Sequence, residues 1–239
     1  MQIRYFQKGF NYSQDGPGNR LVIHLQGCNL HCPWCSNPEG MDLQGGNVVS
    51  TEALLSEIVS CKRLFFDGGG VTFTGGECTL QKDALRQVLK ACKQNDIHTA
   101  IETNGTCSYD NELFENIDLI ISDFKHYNEE KLSEWVGQVR DYQKIIADYL
   151  KSGKPVLIRT VLINGFNAEQ DDAVKFAEFF KDLPTENATF EFLPYHEYGK
   201  NKWEKLGKDY PMKNAIVSQD TVKLFEEIFK SKHLKTIRS

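Results

Sequence analysis

Apolar and polar positions along the chain fall into two alternating patterns. Six short runs are dense in Val, Ile, Leu, Thr and Phe: "RLVIHLQ" (20–26), "GVTFTGG" (70–76), "IHTAIET" (97–103), "DLIISDF" (118–124), "PVLIRTVL" (155–162) and "ATFEFLP" (188–194). They are bounded by Gly, Asn, Asp or Pro and read as strands. Between them the apolar spacing changes to that of a helix. "STEALLSEIVSCKRLF" offers Ser50 or Thr51 as a cap and puts Leu54, Leu55, Ile58 and Val59 on one face. "QKDALRQVLKACKQN" aligns Leu85, Val88, Leu89 and Cys92, and "AEQDDAVKFAEFFKDL" turns Val174, Ala177 and Phe180 inward behind an acidic first turn. "SQDTVKLFEEIFKS" closes the series.

Strand and helix in alternation imply a parallel sheet with right-handed crossovers. Six such strands make either an open doubly wound sheet or an incomplete barrel, and periodicity does not choose between them. Both architectures gather reactive groups at the strand C-terminal ends. The unusual polar residues obey that rule. Cys28, Cys32 and Cys35 follow the first run, Gly75–Gly76–Glu77 end the second, and "ETNG" (102–105) ends the third. "SDFK" (122–125) ends the fourth, Arg159 lies inside the fifth, and "LPYH" (193–196) ends the sixth.

Composition narrows the function classes. With 239 residues and no repeat or low-complexity segment, one domain over 1–239 is expected. A formal net charge of -5 without a basic tail argues against nucleic acid. No apolar run approaches the ~18 residues that cross a bilayer, and the N-terminus lacks a signal-peptide core, so a cytoplasmic protein without membrane contact is expected. In that compartment thiols stay reduced, and seven cysteines, an odd number, point to metal or redox chemistry before disulfides.

The loop "CNLHCPWC" holds three thiols in a C-x3-C-x2-C spacing. Thiolates select zinc or iron–sulfur clusters. Structural zinc needs four ligands, which His24 or His31 would have to complete. A cubane also normally takes four. Three thiols alone leave one iron open, which is a catalytic arrangement. Cys61 and Cys92 fall beside apolar helix positions and read as small buried hydrophobes. Cys78 and Cys107 follow the strand-end turns, where packing is again the plainer reading.

With Trp34 before the third cysteine, this spacing resembles the radical S-adenosylmethionine (SAM) superfamily. "QDGPGNR" (14–20), "GGGVTFTGGE" (68–77), "IHTAIETNG" (97–105) and "FLPYHEYGKNKWEKLG" (192–207) further resemble the activating enzymes of glycyl radical enzymes, over residues 10 to 210 or so. The resemblance implies an α/β fold, a partial (β/α)6 barrel. It implies one [4Fe–4S] cluster on Cys28, Cys32 and Cys35, with SAM on the open iron. Cleavage of SAM would give a 5′-deoxyadenosyl radical that takes hydrogen from a backbone glycine of a large partner, by default of the pyruvate formate-lyase type. A flavodoxin or ferredoxin would donate the electron. Larger family members insert a ferredoxin-like segment after the first cluster. Here about 15 Cys-free residues separate Cys35 from the next helix, so one cluster is expected. Two rivals are another radical SAM reaction (ribonucleotide reductase activation or small-molecule chemistry) and a non-catalytic iron–sulfur or zinc module.

The resemblance assigns roles to the rim. Gly75 and Gly76, lacking Cβ atoms, would let backbone approach the ligand, and Glu77 would accept from the SAM ammonium. Asp123 and Lys125 alternate along a strand and share a face, where they would hold SAM's polar atoms; a surface ion pair is the plainer reading. Trp34, Ser36 and Phe124 would line the adenine or ligand backbone, with Asn104 also on the cofactor. His196 would reach SAM from the far side. Arg159, among apolar neighbours, needs an anion, for which the SAM carboxylate or the substrate backbone is a candidate. Asp15 would orient the incoming peptide, against a plain Asp-Gly-Pro turn. In relatives the Asp of "DTNG" helps hold a monovalent cation beside SAM's carboxylate; the resemblance implies such a cation near Glu102, which is one methylene longer, and Asp123. Ser36 replaces a His after the third cysteine.

Overall fold

A computed structural model describes residues 1–238. The chain divides into two units, Met1–Asn29 with Asn37–Ile121, and Leu30–Ser36 with everything from Ser122 onward.

The first unit is built on β1 (Gln2–Tyr12), β2 (Asn19–Leu25), β3 (Asn47–Ser50), β4 (Gly70–Gly75) and β5 (His98–Thr103), in the order β3-β1-β2-β4-β5. β2, β4 and β5 run parallel, from Arg20↔Gly70 to Leu25↔Gly75 and from Gly70↔His98 to Phe73↔Ile101. Leu21, Val22, Ile23, Leu25, Val71, Phe73, Ala100 and Ile101 are all buried, as near-continuous apolar runs covered on both faces require. α1 (Thr51–Ser60) starts on Ser50, whose Oγ accepts from the Ala53 N–H at 3.1 Å. α2 (Lys82–Gln94) buries Leu85, Val88, Leu89 and Cys92, the face read from the spacing. α3 (Asn111–Phe114) is a single turn before β6 (Leu119–Asp123), which runs from the first unit into the second. Fully buried Arg20 anchors the entering end of β2. Its guanidinium donates to Thr72 Oγ1 at 2.7 Å and to the Val71 carbonyl at 2.8 Å, and burial pulls its pKa down to about 10.

In the second unit β7 (Val156–Leu162) pairs parallel with β8 (Ala188–Pro194), and β8 with β9 (Thr236–Ile237). Helices α4 (Glu129–Val136), α5 (Tyr142–Lys151), α6 (Gln170–Phe180), α7 (Lys200–Lys205) and α8 (Gln219–Ser231) accompany them. The core is aromatic. Phe180, Phe190, Phe192, Phe225 and Phe229 pack in contiguous pairs with ring centroids 4.7 to 6.1 Å apart. α6 corrects one expectation. Ala173, Phe176, Ala177 and Phe180 face inward, while Val174 is 39% exposed, because the buried stripe is set by the larger Phe176.

All six predicted strands are present. β1, β3 and β9 were not anticipated, and neither were α3, α4, α5 and α7. Among the described residues, no helix is long and apolar enough to cross a membrane.

Candidate active site

In the first unit, the loops leaving β2, β4 and β5 meet. Glu77 N–H donates to the Gly27 carbonyl at 2.7 Å and Gly76 N–H to the Leu25 carbonyl at 3.0 Å. Asn104, nearly buried after β5, donates from Nδ2 to Asn29 Oδ1 at 2.9 Å and lies 3.8 Å from Cys28 Sγ. A donor aimed at a ligand sulfur suits a thiolate.

Two expectations change here. The space of a Cβ at Gly75, where φ is +125°, is filled by β2 backbone at Leu25, and at Gly76 by the carbonyls of Gly27 and Gly40. These glycines therefore let protein backbone come close. Glu77 is 1% exposed. Its Oε1 accepts from Thr79 N–H (3.0 Å), Thr79 Oγ1 (2.6 Å) and Thr103 Oγ1 (3.0 Å), and its Oε2 from Asn104 N–H (2.6 Å). Burial raises the pKa of this carboxyl and those four donors partly offset the rise. This carboxylate, expected to meet SAM's ammonium, joins the loop after β4 to the loop after β5.

Glu102 Oε2 accepts from Thr74 Oγ1 at 2.9 Å. Asp15 stands apart. It precedes β2, whose length, on the order of 20 Å, separates it from Cys28. Its carboxylate accepts from Asn11 Nδ2 at 2.5 Å and its carbonyl from Thr72 Oγ1 at 2.7 Å, as the turn reading requires.

In the second unit, Trp34, Asp123, Lys125, Arg159 and Val161 line a small pocket. Trp34 is 8% exposed and packs on Phe166 and Trp135, with centroids 5.0 and 6.1 Å away. Lys125 pairs with Asp123. Burial opposes the charge on Lys125, but the charges of Asp123, Cys32 and Tyr142 outweigh it and hold the ammonium above the ordinary Lys range. Asp123 is thus balanced by a resident ammonium.

The alternation that puts Asp123 and Lys125 on one face sends Phe124 to the other. Phe124 is fully buried against Phe176, Phe180 and Tyr142, so it belongs to the core and not to a ligand site. Arg159 finds its anion within the protein. Nε donates to Glu191 Oε2 at 2.7 Å, across the Arg159↔Glu191 register pair. A lone Arg and a lone Glu inside neighbouring apolar strands were the available signal for that pair. His196 is exposed after β8 and stacks on Tyr198 with centroids 3.9 Å apart.

Cys32 and Cys35 are joined by a turn in which Cys35 N–H donates to the Cys32 carbonyl at 3.1 Å. Ser36 follows, half-buried. None of the seven cysteines forms a disulfide, and Cys28, Cys32 and Cys35 are partly accessible. Burial raises the pKa of Cys92 to about 12 and also raises those of Cys78 and Cys107, which suits packing thiols. Cys61 is only half-buried, since it caps the C-terminus of α1 rather than lying on its apolar face.

Among the described residues, no three His, Cys, Asp or Glu side chains converge on a single-ion position. A closed zinc site needs that convergence; a cubane, whose ligands occupy separate corners, does not. Three accessible thiols in one loop, with a donor near one sulfur, fit such a cluster. A pocket offering both cations and a carboxylate beside an indole fits a zwitterionic nucleoside such as SAM.

Comparison with known proteins agrees. The Radical SAM superfamily model matches residues 22–177. The chain is 38% identical over 204 residues to the pyruvate formate-lyase 1-activating enzyme of Escherichia coli (strain K12), covering 83% of this chain and 82% of that one. It is 38% identical over 208 residues to the pyruvate formate-lyase-activating enzyme of Clostridium pasteurianum, covering 84% and 85%. The crystal structure of a domain of the Bacteroides vulgatus ATCC 8482 pyruvate-formate lyase-activating enzyme superposes with a TM-score of 0.60 at 26% identity, over 72% of this chain and 99% of that one. A radical SAM methyltransferase from Sphaerobacter thermophilus shares the fold, with a TM-score of 0.63 at 15% identity, over 100% of this chain and 76% of that one. The fold class is thus α/β of the radical SAM type, and the cofactors are a [4Fe–4S] cluster and SAM. On its thiol spacing, its strand-end motifs and this similarity, the chain belongs to the radical SAM superfamily and, within it, to the pyruvate formate-lyase-activating enzymes.

Proposed function

We propose that residues 1–239 work as one radical SAM domain in the cytoplasm. Its substrate is the glycine loop of a partner of the pyruvate formate-lyase type, and a flavodoxin or ferredoxin supplies its electron. One observation carries this reading. Trp34 sits in sequence between Cys32 and Cys35 and also lines the pocket of Asp123, Lys125 and Arg159. The loop that would hold the cluster therefore contributes a wall to the pocket suited to SAM.

Bound there, a [4Fe–4S] cluster and SAM supply a 5′-deoxyadenosyl radical able to take a hydrogen atom from a glycine Cα. The chain's own groups bind and orient. Lys125 and Arg159 offer positive charge to a carboxylate, and Asp123 accepts from an ammonium. Trp34 gives the adenine a face, with Ser36 at its edge, and Asn104 steadies the loop that carries Cys28. His196, exposed with Tyr198 after β8, is placed to meet an incoming loop. Extracting and ordering that loop costs several kcal/mol of the gross interaction energy, so binding is expected to be modest.

The test is anaerobic. Reduced enzyme, SAM and a candidate partner should yield a carbon-centred EPR doublet on the partner. Partner deuterated at glycine Cα should pass deuterium into 5′-deoxyadenosine. If no glycyl radical enzyme gives the doublet, while a small molecule drives stoichiometric SAM cleavage, the partner reading is wrong.

A further inference from the structure

The segment from Tyr195 to Tyr210 carries more than His196. Trp203, 8% exposed on α7, donates its indole N–H to the carbonyl of Cys35 at 2.9 Å. Gly199, at the start of the same helix, has φ -75° and ψ -19°, a conformation any residue adopts. Backbone freedom therefore does not explain a glycine there. Space does: a Cβ at 199 would stand inside 3.0 Å of both the Cys35 carbonyl oxygen and the Ser36 Cα. The Gly199 carbonyl in turn accepts the N–H groups of Lys202 and Trp203 at 2.9 and 3.1 Å. Tyr210 packs on Trp203 with centroids 6.1 Å apart, and its hydroxyl lies 2.5 Å from that of Tyr195. The peptide unit leaving Cys35 is thus seated on Gly199 and tied to Trp203.

We propose that Gly199 and Trp203 are positioning residues for the cluster. They fix the backbone of Cys35, and through it the third thiolate, without touching metal or substrate. They also tie the segment bearing His196 to the ligand loop and set the place of Ser36. The proposal rests on the reading that Cys28, Cys32 and Cys35 hold a [4Fe–4S] cluster. Partners that orient metal ligands from outside the coordination shell typically govern affinity about 10- to 100-fold.

Two variants isolate the contacts. Trp203→Phe keeps an aromatic ring and removes the N–H; Gly199→Ala adds one methyl in an allowed conformation. After anaerobic reconstitution, iron release to a ferrous chelator is timed and the EPR spectrum of the reduced cluster recorded. Both variants should release iron about tenfold faster or more than the unaltered protein, with broadened cluster resonances. Phe225→Leu, a core change packed on Phe176 and Phe192, serves as the control and should release iron at the unaltered rate. Unaltered release rates in both Trp203→Phe and Gly199→Ala overturn the proposal. So does equal acceleration by Phe225→Leu, which would mean general loosening. If the unaltered protein assembles no [4Fe–4S] cluster, the cluster assignment itself falls and takes the proposal with it, a result distinct from the other two.

Discussion

Around Cys28, in the first unit, groups are held by backbone contacts and one buried carboxylate; around Trp34, in the second, charged side chains stand beside a mostly aromatic core. Glu77 joins Thr79, Thr103 and Asn104, and the Gly75–Gly76 pair lets β4 press on β2. The second unit keeps Phe124 inside and presents Asp123, Lys125 and Arg159 to a pocket. The difference teaches that a motif residue at a strand end need not face a ligand. In the first unit, Gly75, Gly76 and Glu77 shape the loop that bears Cys28. In the second, Asp123, Lys125 and Arg159 line the pocket while paired with one another or with Glu191.

The largest expected effect cuts across this comparison. Replacing any one of Cys28, Cys32 and Cys35 by Ala should remove most of the iron and all SAM cleavage. Equal iron loss from Ala at Cys61, Cys78, Cys92 or Cys107 would show the three-thiol set to be wrong.

Next comes the second unit's buried pair. Arg159→Met removes the cation paired with the Glu191 carboxylate, 1% exposed, and should cost roughly 3–5 kcal/mol in chemical denaturation. The double variant Arg159→Met/Glu191→Leu should recover most of that. A single variant no less stable than the double would mean that Glu191 does not depend on Arg159.

In the first unit, Glu77→Ala leaves the donors of Thr79, Thr103 and Asn104 without their acceptor and should cost about 2–3 kcal/mol. If it weakened SAM binding while the melting temperature stayed put, Glu77 would be a ligand after all and the contrast between the units would blur.

The smallest effect is a pH dependence of the second unit. His126 is fully buried, and its Nδ1 accepts from Asn128 N–H at 2.9 Å, which suits a neutral ring. Asp172 lies 3.7 Å from Nε2. Burial first, then the charges of Lys131 and Lys175, lower the His126 pKa to about 4. Burial also raises the Asp172 pKa, so the contact is not a full ion pair. The unfolded imidazole, near 6.5, binds a proton before the folded one does. Stability from this group is therefore complete above about pH 6.5 and falls as the pH drops toward 4. At pH 5 the loss is about 2 kcal/mol by linkage. His126→Asn, which can keep an acceptor for Asn128, should flatten that slope in melts taken between pH 4 and 7; an unchanged slope would assign it to other groups.

Much of this was legible along the chain. The six predicted strands matched their apolar runs to within a residue or two, because strands buried on both faces have no other composition open to them. The cysteine set was legible because its spacing is local. β1 and β3 escaped notice because they bury little: of β1 only Ile3 is buried, and β3 has no buried residue. α5 was missed despite Tyr142, Ile145, Ile146, Tyr149 and Leu150 at helical spacing, a signal present but unread.

By itself the sequence determined the alternation of elements, the placement of polar motifs at strand ends and the three-thiol loop, all set by neighbours a few residues apart. Only the tertiary structure decided which motif side chains turn inward. Phe124 entered the core because its neighbours Asp123 and Lys125 face the pocket. Glu77 met Thr103 and Asn104 across two strand ends, and Trp203 met the Cys35 carbonyl over 168 residues of chain. Each of those partners is chosen by distance in space and by the need to satisfy a buried polar group, and neither is written in local periodicity.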